Sequence, residues 1–168
     1  MNLKSLLFKM LLGSWSYKRV FDNGNKGNGI LEITKNDLFD LKYSESGVLY
    51  LNNGRALNSK RKYYFRLFEK KLEIYFFEGP KSLFQTIKLD QIDKSLIGNA
   101  IHLCEEDTYR SRYSFKLDDK TFQIKHIING PKKSYKSITN YKKIKKYIQL
   151  ITHNIDFNFL KLLKFKSV

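Results

Sequence analysis

The sequence predicts a mainly β protein: a closed antiparallel up-and-down barrel of about eight to ten strands, with a short N-terminal helix and a C-terminal helical tail. Three observations carry that prediction. Turn-forming clusters recur at short intervals, and Asn and Gly in them tolerate the positive φ that hairpins demand. The segments between the clusters are rich in Tyr, Phe, Ile and Thr and alternate with a period of two. The tail from Lys142 onward departs from that period. Closure is favoured over an open sheet because it leaves no unpaired edge.

Taken in order, residues Met1 to Leu12 form a short apolar run interrupted by Lys9, with no small-residue cleavage site after it. They read as an amphipathic helix rather than an export signal. Turn clusters then fall at Asn23 to Gly29, Ser46-Gly47, Asn52-Asn53-Gly54, Glu78-Gly79-Pro80, Asp118-Asp119 and Asn129-Gly130-Pro131. Between them lie candidate strands Trp15–Phe21, Gly29–Thr34, Leu38–Ser44, Val48–Leu51, Lys60–Phe68, Leu72–Phe77, Leu83–Leu89, Ala100–Cys104, Tyr109–Leu117, Thr121–Ile128 and Lys133–Tyr141. Asp90 to Gly98 reads as the longest weak-β connection, with room for a turn of helix. After Lys142, Ile144, Tyr147, Ile148, Ile151 and Ile155 recur near helical spacing, and Phe159, Leu160, Leu162, Leu163 and Phe165 form a second apolar cluster. The expected organisation is a barrel over 1–143 and an amphipathic helical extension over 144–168.

At 168 residues the chain is long enough for one core without a disulfide or metal staple. Its one cysteine, Cys104, excludes an intrachain disulfide and points to a reducing, cytoplasmic setting. No apolar stretch approaches the ~20 residues of a membrane-spanning helix. The net charge of +16 suits an anionic partner such as nucleic acid, an acidic lipid surface or an acidic protein. Lysine outnumbers arginine 26 to 6, however, amid many Asn and Ile. That pattern is what an AT-rich genome writes onto any surface, so the charge is read first as composition.

Strand alternation sorts residues by face. The expected interior includes Tyr109, Ser111, Tyr113 and Phe115; Phe122, Ile124, His126 and Ile128; and Tyr135, Ser137, Thr139 and Tyr141. Leu41, Tyr43 and Glu45 are collinear, as are Arg61, Tyr63, Phe65 and Leu67, and His102 shares a face with Cys104. An interior with a carboxylate, a guanidinium, hydroxyls, imidazoles and a thiol must either satisfy itself, for example Glu45 with Arg61, or enclose a cavity that binds something. Arg110, Arg112, Lys125 and Lys136 fall on the opposite, outer face.

Gly13-Ser14-Trp15, following a short helical stretch, resembles the start of a lipocalin or other calycin barrel. In that family the indole plugs the closed end, often beneath an arginine; Arg19, on the same strand face, is the partner the resemblance implies. Several segments together are similar to an uncharacterised family, the domain of unknown function 6314, over roughly residues 11 to 143. They are Leu11-Leu12-Gly13-Ser14-Trp15, Leu41-x-Tyr43-x-Glu45-x-Gly47, Arg61-x-Tyr63, the run from Ala100 to Tyr109, and Gly130-Pro131-Lys132-Lys133-Ser134-Tyr135. The family pattern H-x-C-x-x-D-x-Y is kept as His102, Cys104, Asp107 and Tyr109. The family's G-P-R-K-D-Y becomes Gly130 to Tyr135 with Lys132 for the arginine and Ser134 for the acid, and its Phe-His becomes Phe84-Gln85. The resemblance implies a calycin-like barrel and no known activity.

Three functions follow as expectations. The first is a small-molecule-binding barrel: Trp15 and Arg19 close one end, and Tyr43, Glu45, Arg61, Tyr63, His102, Cys104, Tyr109 and Tyr135 line a cavity with Lys132 and Lys133 at its rim. The second is an enzyme using the same cavity for acid–base or thiol chemistry through His102, Asp107, Tyr109 and Cys104. The third is a basic interaction subunit that binds RNA or a larger assembly through its outer face and tail. The few histidines and the absence of C-x-x-C or H-x-x-x-H spacing argue against a metal. Haem held through His126 is set against an interior histidine satisfied by a tyrosine hydroxyl.

Overall fold

The computed structural model describes residues 2–79, 82–131 and 133–144. One helix, α1 (Leu3–Leu11), precedes ten strands: β1 (Gly13–Phe21), β2 (Lys26–Lys35), β3 (Leu41–Tyr50), β4 (Ala56–Leu67), β5 (Lys71–Phe76), β6 (Leu83–Ile92), β7 (Ser95–Cys104), β8 (Asp107–Lys116), β9 (Thr121–Asn129) and β10 (Ser134–Lys143). Each strand pairs antiparallel with its neighbours in the chain, and β1 pairs with β10 to close the barrel. The helical tail read over 144–168 falls, from residue 145 on, outside the described residues.

Tight connections make this meander possible. Asp93 and Glu105 sit at φ near +50° in the two-residue β6–β7 and β7–β8 hairpins, the left-handed geometry such hairpins require, and Lys120 takes the same geometry at the end of the four-residue β8–β9 turn. The connection expected over Asp90 to Gly98 is therefore a turn at Asp93-Lys94 between two long strands and holds no helix. Gly98, read as loop, lies within β7, where a Cβ would collide with Ile87 and the Lys88 carbonyl of β6. Likewise Leu38–Ser44 and Val48–Leu51 belong to one strand, β3 (Leu41–Tyr50), and Ser46-Gly47 makes no turn. Gly47 faces Gly29 across the β2–β3 ladder, and a Cβ on either would strike the other strand's backbone. These glycines mark close approach within the sheet rather than its interruption.

α1 stoppers one end. Asn2 caps it by accepting from the Ser5 N–H at 2.9 Å, and Leu7, Met10 and Leu11 on its buried face meet the barrel core. Gly13 turns the chain into β1 at φ +113°, and Trp15, fully buried, donates its indole N–H to the Leu11 carbonyl at 2.8 Å. Its ring meets Phe122 edge-on at 4.8 Å. Ile33, Leu41, Leu67, Leu72, Leu96 and Phe115, all buried, complete this apolar layer. The cation over the indole is Lys143, 4.9 Å from the ring centroid and bonded to the Met10 carbonyl. Arg19, the expected partner, is drawn elsewhere.

Candidate ligand cavity

Above the apolar layer, inward positions become polar. Arg19 of β1 makes a two-pronged ion pair with Glu45 of β3, both contacts 2.9 Å, and its Nε donates to Thr139 Oγ1 at 2.7 Å. Tyr43 and Tyr141 donate to Glu45 Oε2 at 2.6 and 3.0 Å. β1 and β3 are not neighbours; β2 lies between them. Arg19 lies opposite Gly27, which has no side chain to block it, and reaches diagonally across β2 to Glu45, which lies opposite Leu31. Arg61, the partner expected for Glu45 from the sequence, is its cross-strand neighbour but stands back, with Nε 3.9 Å from Oε1. Burial opposes ionisation of Glu45, yet the charge and hydrogen bonds of Arg19, with Arg61 and Tyr43, outweigh it and hold its carboxyl below the usual range. Burial foremost pushes the Tyr43 and Tyr141 phenols up, so both stay protonated.

A second network crosses the opposite wall. Tyr113 donates to Gln85 Oε1 at 2.6 Å, Gln85 Nε2 donates to Ser111 Oγ at 2.7 Å, and Ser111 Oγ lies 2.7 Å from His126 Nδ1. Burial, then the positive charges of Arg61 and Arg19, lower the His126 pKa to about 4. The ring is therefore neutral near pH 7. The hydroxyl that satisfies His126 is thus a serine rather than a tyrosine. Gln85 stands where the resembling family shows histidine; a lone amide on the apolar face shared by Ile87 and Leu89 was the available signal.

Between these networks and the open end lies a cavity of about 220 Å³. Arg61, Tyr63, Phe84, Tyr109, Tyr135, Ile128 and His126 form its upper lining, and Arg19, Tyr43, Tyr113, Ile124 and Tyr141 contribute from below. Tyr63 and Phe84 stack at 5.7 Å with planes 15° apart, and Phe84 meets His102 edge-on at 4.9 Å. The Arg61 side chain is 34% exposed and makes no hydrogen bond among the described residues. At the rim, Asp107 pairs with Lys133 at 2.8 Å, and Lys133 also covers the Tyr109 ring at 5.2 Å. The hydrogen bonds to Asp107 and Tyr109 raise the Lys133 pKa. Gly130 packs so closely on Asp107 that a Cβ would overlap its carboxylate. Asp107 thus clasps Gly130 and Lys133, tying the start of β8 to residues that precede β10.

The structure therefore brings Arg19, Tyr43, Arg61, Tyr63, Tyr109 and Tyr135 to the cavity. Trp15 and Glu45 are buried below it and do not line it. His102 stands behind the aromatic wall, its pKa lowered by burial. Cys104 corrects the sequence reading: it is exposed at the β7–β8 hairpin and lines nothing. Lys132 lies outside the described residues. No hydrogen bond joins His102, Asp107 and Tyr109, and the Asp107 carboxylate is engaged by Lys133. A porphyrin does not fit around His126, since the cavity is below even the roughly 300–1,000 Å³ of pockets for drug-sized ligands. Arg110, Arg112, Lys125 and Lys136 are exposed on the outer face.

Fold and site define a closed ten-stranded antiparallel barrel, stoppered by a helix and a tryptophan at one end and hollow towards the other. The chain belongs to the Family of unknown function (DUF6314), whose model matches residues 11–143. No curated protein matches it. Similar solved structures include the redesigned β-barrel mFAP1 bound to DFHBI, 11% identical with a TM-score of 0.40 over 81% of this chain and 97% of that one. The redesigned barrel b11L5F_LGL is also 11% identical, with a TM-score of 0.41 over 82% and 95%. A fluorescence-activating β-barrel designed de novo is 9% identical, with a TM-score of 0.39 over 81% and 95%.

Proposed function

We propose that this protein is a calycin-like binding barrel that holds a small, partly polar organic molecule in the cavity above the Arg19–Glu45 pair. The observation that carries the reading is a contrast in satisfaction. Below the cavity every buried polar side-chain atom among the described residues has a partner. At the cavity Arg61 makes no hydrogen bond among those residues, beside a wall of rings open to the mouth. Groups whose bonding is complete are scaffold; a cation held against an apolar wall with donors unused suits a ligand. The calycin-like reading is supported by the helix, the Gly13-Ser14-Trp15 turn into β1 and the indole sealed at the closed end.

Native mass spectrometry of the protein purified from its own host tests the proposal. The expected result is a co-purifying small mass that is absent from Ile128→Trp, which fills the cavity. A bare chain mass for the wild-type protein overturns the reading.

A further inference from the structure

Among the described residues the inward-facing charges do not balance. Arg19 and Glu45 neutralise each other through two short contacts, and the rim pair Asp107–Lys133 does the same. His126 is neutral. One positive charge, Arg61, remains over. A ligand that enters the cavity removes water from that guanidinium. A neutral ligand leaves its donors short of acceptors and a cation adds repulsion, whereas an anion replaces the lost water with charge-assisted hydrogen bonds. Arginine is the side chain suited to a planar acid group, because its fork matches two oxygens at once. The adjoining surface is aromatic: Tyr63 and Phe84 stack, and Tyr109 meets Phe84 edge-on at 6.2 Å. Such walls take a flat ring by stacking or edge contact. At about 220 Å³ the cavity admits a molecule smaller than drug size.

We infer that the ligand is a small aromatic acid carrying one negative charge, its carboxylate on Arg61 and its ring against Tyr63, Phe84 and Tyr109. This deepens the proposal of a small-molecule barrel and rests on it. The step beyond that proposal is the charge and shape of the ligand, and Arg61 as the residue that selects it.

Calorimetric titration of the full chain with three probes of one shape tests it: 2-naphthoate, neutral 2-naphthamide and the 2-naphthylmethylammonium cation. The acid is expected to bind at least tenfold more tightly than the amide, with the ammonium weakest. Arg61→Gln is expected to remove that preference, so that acid and amide bind within about twofold of each other; Arg61→Lys, which keeps the charge but not the fork, is expected to retain part of it. The melting temperature and the fluorescence of Trp15, the single tryptophan, report whether each variant is folded. Equal affinity for acid and amide, or an acid affinity indifferent to Arg61→Gln and Arg61→Lys, overturns the acid class and leaves the binding proposal standing. No binding of any probe, with a small mass still carried from the host, likewise overturns the acid class alone. No binding of any probe with a bare chain mass overturns both.

Discussion

The two halves of the barrel are built from the same strands yet solve different problems. On β4 the inward residues run Leu67, Phe65, Tyr63, Arg61 from the stoppered end to the mouth; on β9 they run Phe122, Ile124, His126, Ile128. On β8 the run is Phe115, Tyr113, Ser111, Tyr109, and on β10 it is Tyr141, Thr139, Ser137, Tyr135. The lower half closes with aliphatic and aromatic packing beneath α1. The upper half packs its rings into one wall of a cavity and leaves Arg61 partly in water. Between them the Arg19–Glu45 pair acts as a polar floor. What differs is the level along the barrel axis, not the side of the sheet, and it separates residues that stabilise from residues free to bind.

The floor is the place to break this division hardest. Glu45→Ala leaves the Arg19 guanidinium buried without its partner, a loss of about 3–5 kcal/mol. It appears as a lower urea midpoint in both the presence and absence of ligand. Trp15→Ala at the stoppered end comes next, at about 3 kcal/mol or more, because a large cavity opens under α1. Tyr109→Ala at the mouth, where the ring is only partly buried, costs about 1 kcal/mol and instead lowers affinity for 2-naphthoate. If Trp15→Ala and Tyr109→Ala had equal effects on the urea midpoint, the two halves would not be distinct.

Acid sharpens the same comparison. The folded-state pKa of His126 is about 4, below the unfolded value of about 6.5, so its contribution is complete above pH 6.5 and is lost as the pH falls towards 4. Glu45 is also depressed, so its contribution is present above its unfolded pKa and is lost at still lower pH, as the pH falls through the folded value. A plot of unfolding free energy against pH should therefore fall in two stages, the first on the order of 3 kcal/mol. His126→Gln should abolish the first stage only. The smallest effect belongs to the rim. Asp107→Asn breaks a half-exposed ion pair and costs under about 1 kcal/mol in thermal stability.

Much of this is legible without coordinates. Alternation assigns Tyr109 to Phe115, Phe122 to Ile128 and Tyr135 to Tyr141 to the interior, and hairpin chemistry locates most turns. Glycine is ambiguous because it marks turns and close approaches alike: Gly24 and Gly54 are turn residues at positive φ, while Gly47 and Gly98 lie within strands. Parity also gives the side of a sheet but not the height. Cys104 has the parity of His102, yet one more step along β7 carries it out to the hairpin tip. The Arg19–Glu45 pair is invisible to a strand-by-strand reading because it skips a strand and runs diagonally, from the level of Gly27 to that of Leu31. Gln85 stands out in the sequence for the histidine it replaces, whereas its role lies in the bonds it makes to Tyr113 and Ser111.

The most direct test of a barrel solid at one end and receptive at the other is an NMR titration of the full chain with 2-naphthoate and 2-naphthamide. The predicted shifts concentrate on Arg61, Tyr63, Phe84, Tyr109 and Tyr135, while the Trp15 indole N–H resonance stays where it is. Shifts gathered instead on the outer residues Arg110, Arg112, Lys125 and Lys136, with the mouth unchanged, would contradict it.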